Sequence, residues 1–173
     1  TFPDQGVMSP HSLPHYRAIA EAVHAEGGLI SAQITHAGSF AQAGVLSTAR
    51  AMSASGGIDQ VGLMSGRLLQ RAMTASDMAQ VRGEFVAAAL LAREAGYDAV
   101  ELHMGHGYLL NQFISPLSNH RRDEYGGSAG NRARFPADVL AAVKDAVGDR
   151  MAVLAKINLH DGVRKGGTVD DAV

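Results

Sequence analysis

Three times along this chain a stretch of helical periodicity ends at glycine and gives way to a short apolar run of strand length. That alternation limits the fold more than any other feature of the sequence. Ser12 to Glu26 reads as the first helix: Ser12 can cap it, Pro14 is tolerated in its first turn, and Tyr16, Ile19, Ala20 and Val23 share one face. Gly27 and Gly28 end it, and Leu29–Ile34 follows as a strand. Ser76 is expected to cap a second helix whose apolar face carries Met78, Val81, Phe85, Ala88, Ala89 and Ala92. Gly96 terminates it, and Tyr97–His103 is the second strand. A third helix ends at Gly148, with Phe135, Val139, Ala142, Val143 and Ala146 facing the core. Pro136 removes a backbone donor, so a separate turn near Asn131 and a main helix from Pro136 onward are expected. Met151–Ile157 is the third strand. Strands alternating with amphipathic helices specify an α/β fold with a parallel sheet and right-handed crossovers. An open doubly wound sheet and a (β/α)8 barrel both satisfy that pattern.

Two long connections interrupt the alternation. Residues 37–75, rich in Ala, Ser and Gly, show no periodicity, and residues 104–128 follow the second strand. Connections of this length inside a core are usually functional. Composition narrows the classes: 46% hydrophobic and 18% charged residues are globular values. A net charge of −2 gives no basic excess for nucleic acid or an acidic membrane surface. No window approaches the roughly 20 apolar residues of a membrane span. With no cysteine, a disulfide scaffold, a thiolate zinc site and an iron–sulfur cluster are excluded within these residues. The sequence starts at Thr1 with no signal-peptide pattern, so a cytoplasmic location is expected. At the other end, Gly166–Val173 reads as a loop, a Thr168 cap with Asp171 three residues on, and a single helical turn. The expectation from the two ends is a single partial domain, residues 1–173, truncated at both.

Ligands of parallel α/β folds meet the carboxyl ends of the strands. Here those ends are polar: Gln33 and His36 on the first, Glu101, His103, His106 and Tyr108 on and after the second, Lys156 and Asn158 on the third. A buried polar group without a partner costs about 1–3 kcal/mol, so three neighbouring strands loaded at one end suggest a shared site. An amide, imidazoles, a phenol and a fixed cation suit a polar heterocycle beside a carbonyl-bearing substrate. Each residue also has a plainer reading. Any single histidine is more often structural, and His36 reads so; Glu101 and Lys156 can pair with each other. The H-x-x-H spacing of His103 and His106 invites a metal but lacks an evident third ligand. The Arg121–Glu124 run reads as loop scaffolding, Asn131–Phe135 as its anchor to the third helix, and no G-x-G-x-x-G follows a strand.

The segment Ala95–His103 continuing through Gly105-His106-Gly107-Tyr108-Leu109-Leu110-Asn111-Gln112-Phe113 resembles the signature of the Old Yellow Enzyme family, the NADH:flavin oxidoreductases that include bacterial 2,4-dienoyl-CoA reductases. Ser115-Pro116, Asn119, Arg121, Asp123–Ser128 and Asn131–Phe135 extend the likeness, and Gln33–Gly38 matches the family's Q-L-x-H-x-G segment. The resemblance implies part of a TIM (β/α)8 barrel, about strands three to five with their helices, and FMN at its carboxyl face. It further implies hydride transfer from NAD(P)H through the flavin to an alkene conjugated to a carbonyl, in a small-molecule substrate or an enoyl thioester. On that likeness His103 and His106 hold the substrate oxygen, Tyr108 donates the proton, and Gln33 and Lys156 contact the flavin. An iron–sulfur cluster and FAD, found in some relatives, would lie outside this chain. A homo-oligomer is among the expectations for the parent, and the isolated stretch is expected to be inactive and to bind FMN weakly or not at all. Three positions depart from the pattern: Lys156 stands where many members have Arg, Ser39 replaces an Arg, and Gly130 replaces a Glu. The alternatives are a metal-dependent barrel hydrolase or aldolase using His103 and His106, and a non-catalytic fragment.

Overall fold

A computed structural model describes residues 8–41, 51–58 and 69–173. Helix α1 (Leu13–Ala25) leads into β1 (Ser31–Ile34) and a 3-10 turn at Gly38–Phe40. Short strands β2 (Met52–Ser53), β3 (Gly57–Ile58) and β4 (Leu69–Ala72) precede α2 (Ala75–Glu94) and β5 (Ala99–Met104). Then come α3 (Leu109–Ile114), α4 (Ala129–Val147), a 3-10 turn at Gly148–Arg150, β6 (Ala152–Ile157) and α5 (Val169–Ala172). The main sheet has the order β1-β5-β6 and is parallel throughout, while β2, β4 and β3 form a small second sheet. The helix–strand alternation thus becomes parallel crossovers, as the periodicity requires.

Register divides the main sheet into two faces. Gln33 lies opposite Glu101, and Glu101 opposite Leu154; two residues further on, His103 lies opposite Lys156. Side chains alternate along a strand, so these residues share one face. Ala32, Ile34, Val100, Leu102 and Met104 occupy the other and are buried in one core with Met78, Val81, Phe85, Ala89 and Ala92 of α2. Phe135, Val139, Val143 and Val147 of α4 complete that core. Each large apolar side chain fully buried there contributes about 1.5–3 kcal/mol.

The structure moves several elements. The strands start at residues 31, 99 and 152, later than the apolar runs that announce them, and Leu29 is 83% exposed. On α1, which packs against α2, Ala20 is buried and Ile19 remains 44% exposed. Thr74, not Ser76, caps α2: its hydroxyl accepts from the Asp77 amide (3.2 Å), and the Asp77 carboxylate accepts from the Thr74 amide (2.8 Å). Helix α4 runs unbroken through Pro136. Its first turns are pinned from outside, with Arg132 donating to the carbonyls of Ile114 (2.7 Å) and Gly127 (2.5 Å), so one lost backbone bond does not divide it. Both long connections contain structure that the sequence does not announce, the small sheet in the first and α3 in the second. The scaffold reading of the Arg121 run holds: its guanidinium donates to the carbonyls of Ala54 (2.7 Å) and Met73 (2.8 Å) and pairs with Asp123 (2.5 Å).

The start of α2 carries a testable consequence. Arg71 grips both Asp77 oxygens (2.6 and 2.7 Å). Arg71 first, and the Thr74 bonds after it, hold the Asp77 carboxyl well below the usual carboxylate range. A carboxyl depressed in the folded state stabilises it above the unfolded-state value and loses that contribution as pH falls toward the folded one. Asp77→Ala should destabilise the full-length protein by about 1 kcal/mol in urea unfolding at neutral pH. The gap between variant and wild type should close progressively as pH falls below about 5.

Candidate active site

The site forms where β5 runs out. His103, on the last turn of register shared with Lys156, is 4% exposed and points from the face opposite the core. The chain then turns through Gly105–Tyr108 into α3, and Tyr108 occupies the helix's N-cap position with extended backbone. Three of the sequence-predicted residues meet in this turn. The His103 and His106 rings stand edge to face, 4.9 Å between centroids, with His106 Nδ1 3.2 Å from His103 Nε2. The Tyr108 ring packs on His103 at 4.9 Å and is flanked by Phe40 at 5.9 Å.

Every amide of the turn is engaged. Gly105 donates to His103 Nδ1 (3.3 Å), His106 to Asn158 Oδ1 (3.0 Å), Gly107 to Asn111 Oδ1 (2.8 Å) and Tyr108 to the Gly105 carbonyl (3.2 Å). Burial pushes the His103 imidazole below its ordinary value; His106 and Lys156 push in the same direction and Glu101 opposes. His103 is therefore neutral at pH 7. Because its Nδ1 accepts from Gly105, its proton sits on Nε2, which donates to His106 Nδ1.

The remaining predicted residues line the same face of the sheet. Gln33 donates its side-chain amide to Glu101 Oε1 on the neighbouring strand. Glu101 is thus engaged by Gln33, and among the described residues no ion pair joins it to Lys156. Lys156 is exposed. His36 is structural, its Nδ1 accepting from Gly38 (3.0 Å) and its carbonyl accepting from Leu109 (3.0 Å). Ser39, which replaces an Arg of the resembling family, accepts from Gln112 Nε2 (2.7 Å), and the same nitrogen donates to the Gly107 carbonyl (2.6 Å). Gly130 is open to space, so the Glu it replaces leaves no hole in the packing.

Sequence reasoning passed over Asn111, Gln112 and Asp161 as site components and named Thr35 only within a motif. Thr35 Oγ1, two residues past Gln33, is buried and has no hydrogen-bond partner among the described residues. An orphaned hydroxyl beside an exposed amide and an exposed ammonium is a donor and acceptor set that fits the alternating carbonyl and N–H edge of a flavin pyrimidine ring. The residues present therefore fit FMN. A metal centre is not matched in the same way: among the described residues no three His, Cys, Asp or Glu side chains gather. Among them, too, no helix is long and apolar enough to cross a membrane.

Comparison with known proteins identifies the family. Residues 3–173 match the sequence profile of the NADH:flavin oxidoreductase / NADH oxidase family. The chain is 40% identical to a 4,4'-dithiodibutanoate disulfide reductase of Rhodococcus erythropolis, over 98% of this chain and 41% of that one. It is 36% identical to an NADPH dehydrogenase of Bacillus velezensis, over 98% of this chain and 47% of the relative. Among solved structures it superposes on Old Yellow Enzyme from Pichia sp. AKU4542 with a TM-score of 0.81 and 32% identity, covering 95% of this chain and 44% of that one. The fold is accordingly part of a TIM barrel, and the chain spans under half the length of these relatives.

The buried imidazole gives a pH expectation. A histidine whose folded value is lowered stays neutral through the usual titration range, and the stability it confers is lost only as pH falls below the unfolded value. In the full-length protein the His103 nitrogen signals should titrate below the ordinary value of about 6.5, followed by imidazole 15N NMR. A midpoint at or above that value would contradict the burial seen here.

Proposed function

Because the chain belongs to the NADH:flavin oxidoreductase / NADH oxidase family, we propose that the full-length protein uses FMN to reduce an alkene conjugated to a carbonyl at the expense of NAD(P)H. The observation that carries this reading is the convergence of His103, His106 and Tyr108 at the end of β5, on the sheet face that also bears Gln33 and Lys156. FMN, when bound, supplies the hydride chemistry, with NAD(P)H as the source of reducing equivalents. Gln33, Thr35 and Lys156 would hold it: the amide and hydroxyl meet its polar edge, and the ammonium meets an electron-rich oxygen.

The rest of the work falls to the turn after β5. A substrate carbonyl oxygen arriving between the two imidazoles, whose facing nitrogens are 3.2 Å apart, takes the His103 Nε2–H. His106, exposed to solvent and released from that bond, becomes the second donor when its ring gains a proton at Nδ1 from water and gives up the one at Nε2 to water. Two N–H donors at one oxygen stabilise the enolate charge that develops there as the β-carbon gains hydride. Tyr108 gives its phenolic proton to the α-carbon, so hydride and proton together complete the reduction of the C=C bond. A phenolic hydroxyl carries the proton that a general acid must give. His103, neutral through burial, acts as an N–H donor and not as a competing cation. The substrate is thus a small unsaturated carbonyl compound or enoyl thioester, and the setting is the cytoplasm.

The test separates the two halves of the turnover. In the full-length protein Tyr108→Phe should slow alkene reduction about 10²- to 10⁴-fold, read by stopped-flow reoxidation with cyclohex-2-enone. Flavin reduction by NAD(P)H should keep its wild-type rate. An unchanged rate of enone reduction would remove Tyr108 from the role of proton donor. The Rhodococcus relative is named for reducing a disulfide, so a dithiodibutanoate serves as the second acceptor in the same assay. Faster turnover of the disulfide than of any conjugated enone would overturn the substrate class.

A further inference from the structure

We propose that Asn158, at the carboxyl end of β6, is a positioning residue that sets the orientation of the His103–His106 pair. The proposal builds on the role given to that pair above. His106 has φ +57, in the left-handed region that non-glycine residues rarely occupy. Such a conformation is strained and persists only where surrounding contacts fix it. The contact that fixes it comes from another strand, 52 residues away: the His106 amide donates to Asn158 Oδ1 at 3.0 Å. The turn is also shaped to admit this side chain. A Cβ on Gly105 would stand 2.7 Å from Asn158 Oδ1, closer than real contacts allow.

Asn158 is itself held at its other end. Its Nδ2 donates toward Asp161 Oδ1 (3.4 Å) and Asn111 Oδ1 (3.5 Å), and Asn111 Oδ1 also accepts from the Gly107 amide (2.8 Å). Asp161 in turn is anchored through Oδ2, which accepts from Ser115 Oγ and from the Gly167 amide, both at 2.6 Å. The brace therefore runs from the loop after β6, through the Asn158 carboxamide, to the His106 amide and, by way of Asn111 Oδ1, to the Gly107 amide. A carboxamide suits the position because it accepts at one atom and donates at the other. An apolar side chain supplies neither bond. The consequence for the proposed reaction is geometric: the His106 ring meets His103 Nε2 only while the backbone at His106 stays where Asn158 holds it. A displacement of about 1 Å at such a point can cost on the order of 100-fold in rate.

The experiment uses the full-length, flavin-loaded protein with Asn158→Ala and Asn158→Asp. Removing the side chain should raise KM for cyclohex-2-enone and lower its kcat, together by about 10- to 100-fold in kcat/KM. Flavin content and the rate of flavin reduction by NAD(P)H should be unchanged. Imidazole 15N spectra should show His103 passing from one fixed tautomer to a mixture. Asn158→Asp keeps the acceptor for the His106 amide but loses the donor facing Asp161 Oδ1 and Asn111 Oδ1, so it should recover only part of the loss. Unchanged kcat/KM and imidazole spectra in Asn158→Ala would overturn the proposal, as would loss of flavin from both variants, which would mark a merely structural residue. A wild-type protein that fails to reduce the enone, while Asn158→Ala still scrambles the His103 tautomer, would overturn the proposed reaction and leave the positioning role standing.

Discussion

The parallel register that sets Gln33 beside Glu101 and His103 beside Lys156 is the constraint on which the site depends. Side chains alternate across a strand, so a slip of one residue in β5 would carry Glu101 and His103 into the apolar core and expose Leu102 and Met104 in their place. Burying a carboxylate without a partner would cost several kcal/mol. The register is thus fixed by the helices as much as by the strands. Val100, Leu102 and Met104 on β5 fit against α2 and α4 in only one phase. Packing on one face of the sheet determines which chemistry appears on the other.

A second layer of order lies in the turn itself. Residues 105–108 form no regular element, yet each amide has an assigned acceptor, and three of those acceptors, His103, Asn158 and Asn111, come from outside the turn. Gln112, buried on α3, links the same turn to Ser39 of the first connection through two bonds from one nitrogen. Arg121 does for the small sheet what Gln112 does for the 3-10 turn. Its guanidinium lies 5.8 Å from the Phe113 ring and 5.9 Å from that of Tyr125 while it donates to two carbonyls of the first connection. The two long connections are consequently fastened to each other as well as to the barrel arc. The loops over a parallel sheet are often adaptable; here the loop that carries the histidines is among the most heavily bonded parts of the chain.

How much of this could be read from the residues follows from length and burial. Helices α2 and α4 have three or more turns with one buried face, so periodicity finds them, and β1, β5 and β6 stand between glycine stops. Helix α3 escapes because Leu109, Leu110, Asn111, Gln112 and Phe113 are all buried, and a segment covered on every side has no polar–apolar rhythm. The strands β2 and β3 have two residues each, below the length at which alternation exists. The cap of α2 is Thr74 and not the expected Ser76, and its capping box is completed by Asp77, which Arg71 also grips from outside the helix. The polar strand ends were legible as a set, and so was the partial barrel. The partners within that set were not. Glu101 engages Gln33 and leaves Lys156 to face His103, because pairing across a sheet follows register, which spacing along the chain does not encode.

That last pairing bears on why a lysine serves at position 156. Its charge acts on His103 through space, adding to burial in keeping the imidazole neutral. For this effect the shape of the cation is immaterial, and the Arg common in the resembling family would act alike. The difference between the two lies in hydrogen bonding: a guanidinium offers a planar fork, an ammonium a single flexible point. Exchange at this position therefore leaves the state of the histidine pair intact and alters only what the cation itself can grip. The sheet face separates these two tasks. His103 depends on charge and burial, both supplied by the register, whereas cofactor contacts depend on the geometry of individual side chains at the rim. A chain of this family can vary the second without disturbing the first, and the Lys156–His103 register is the physical reason.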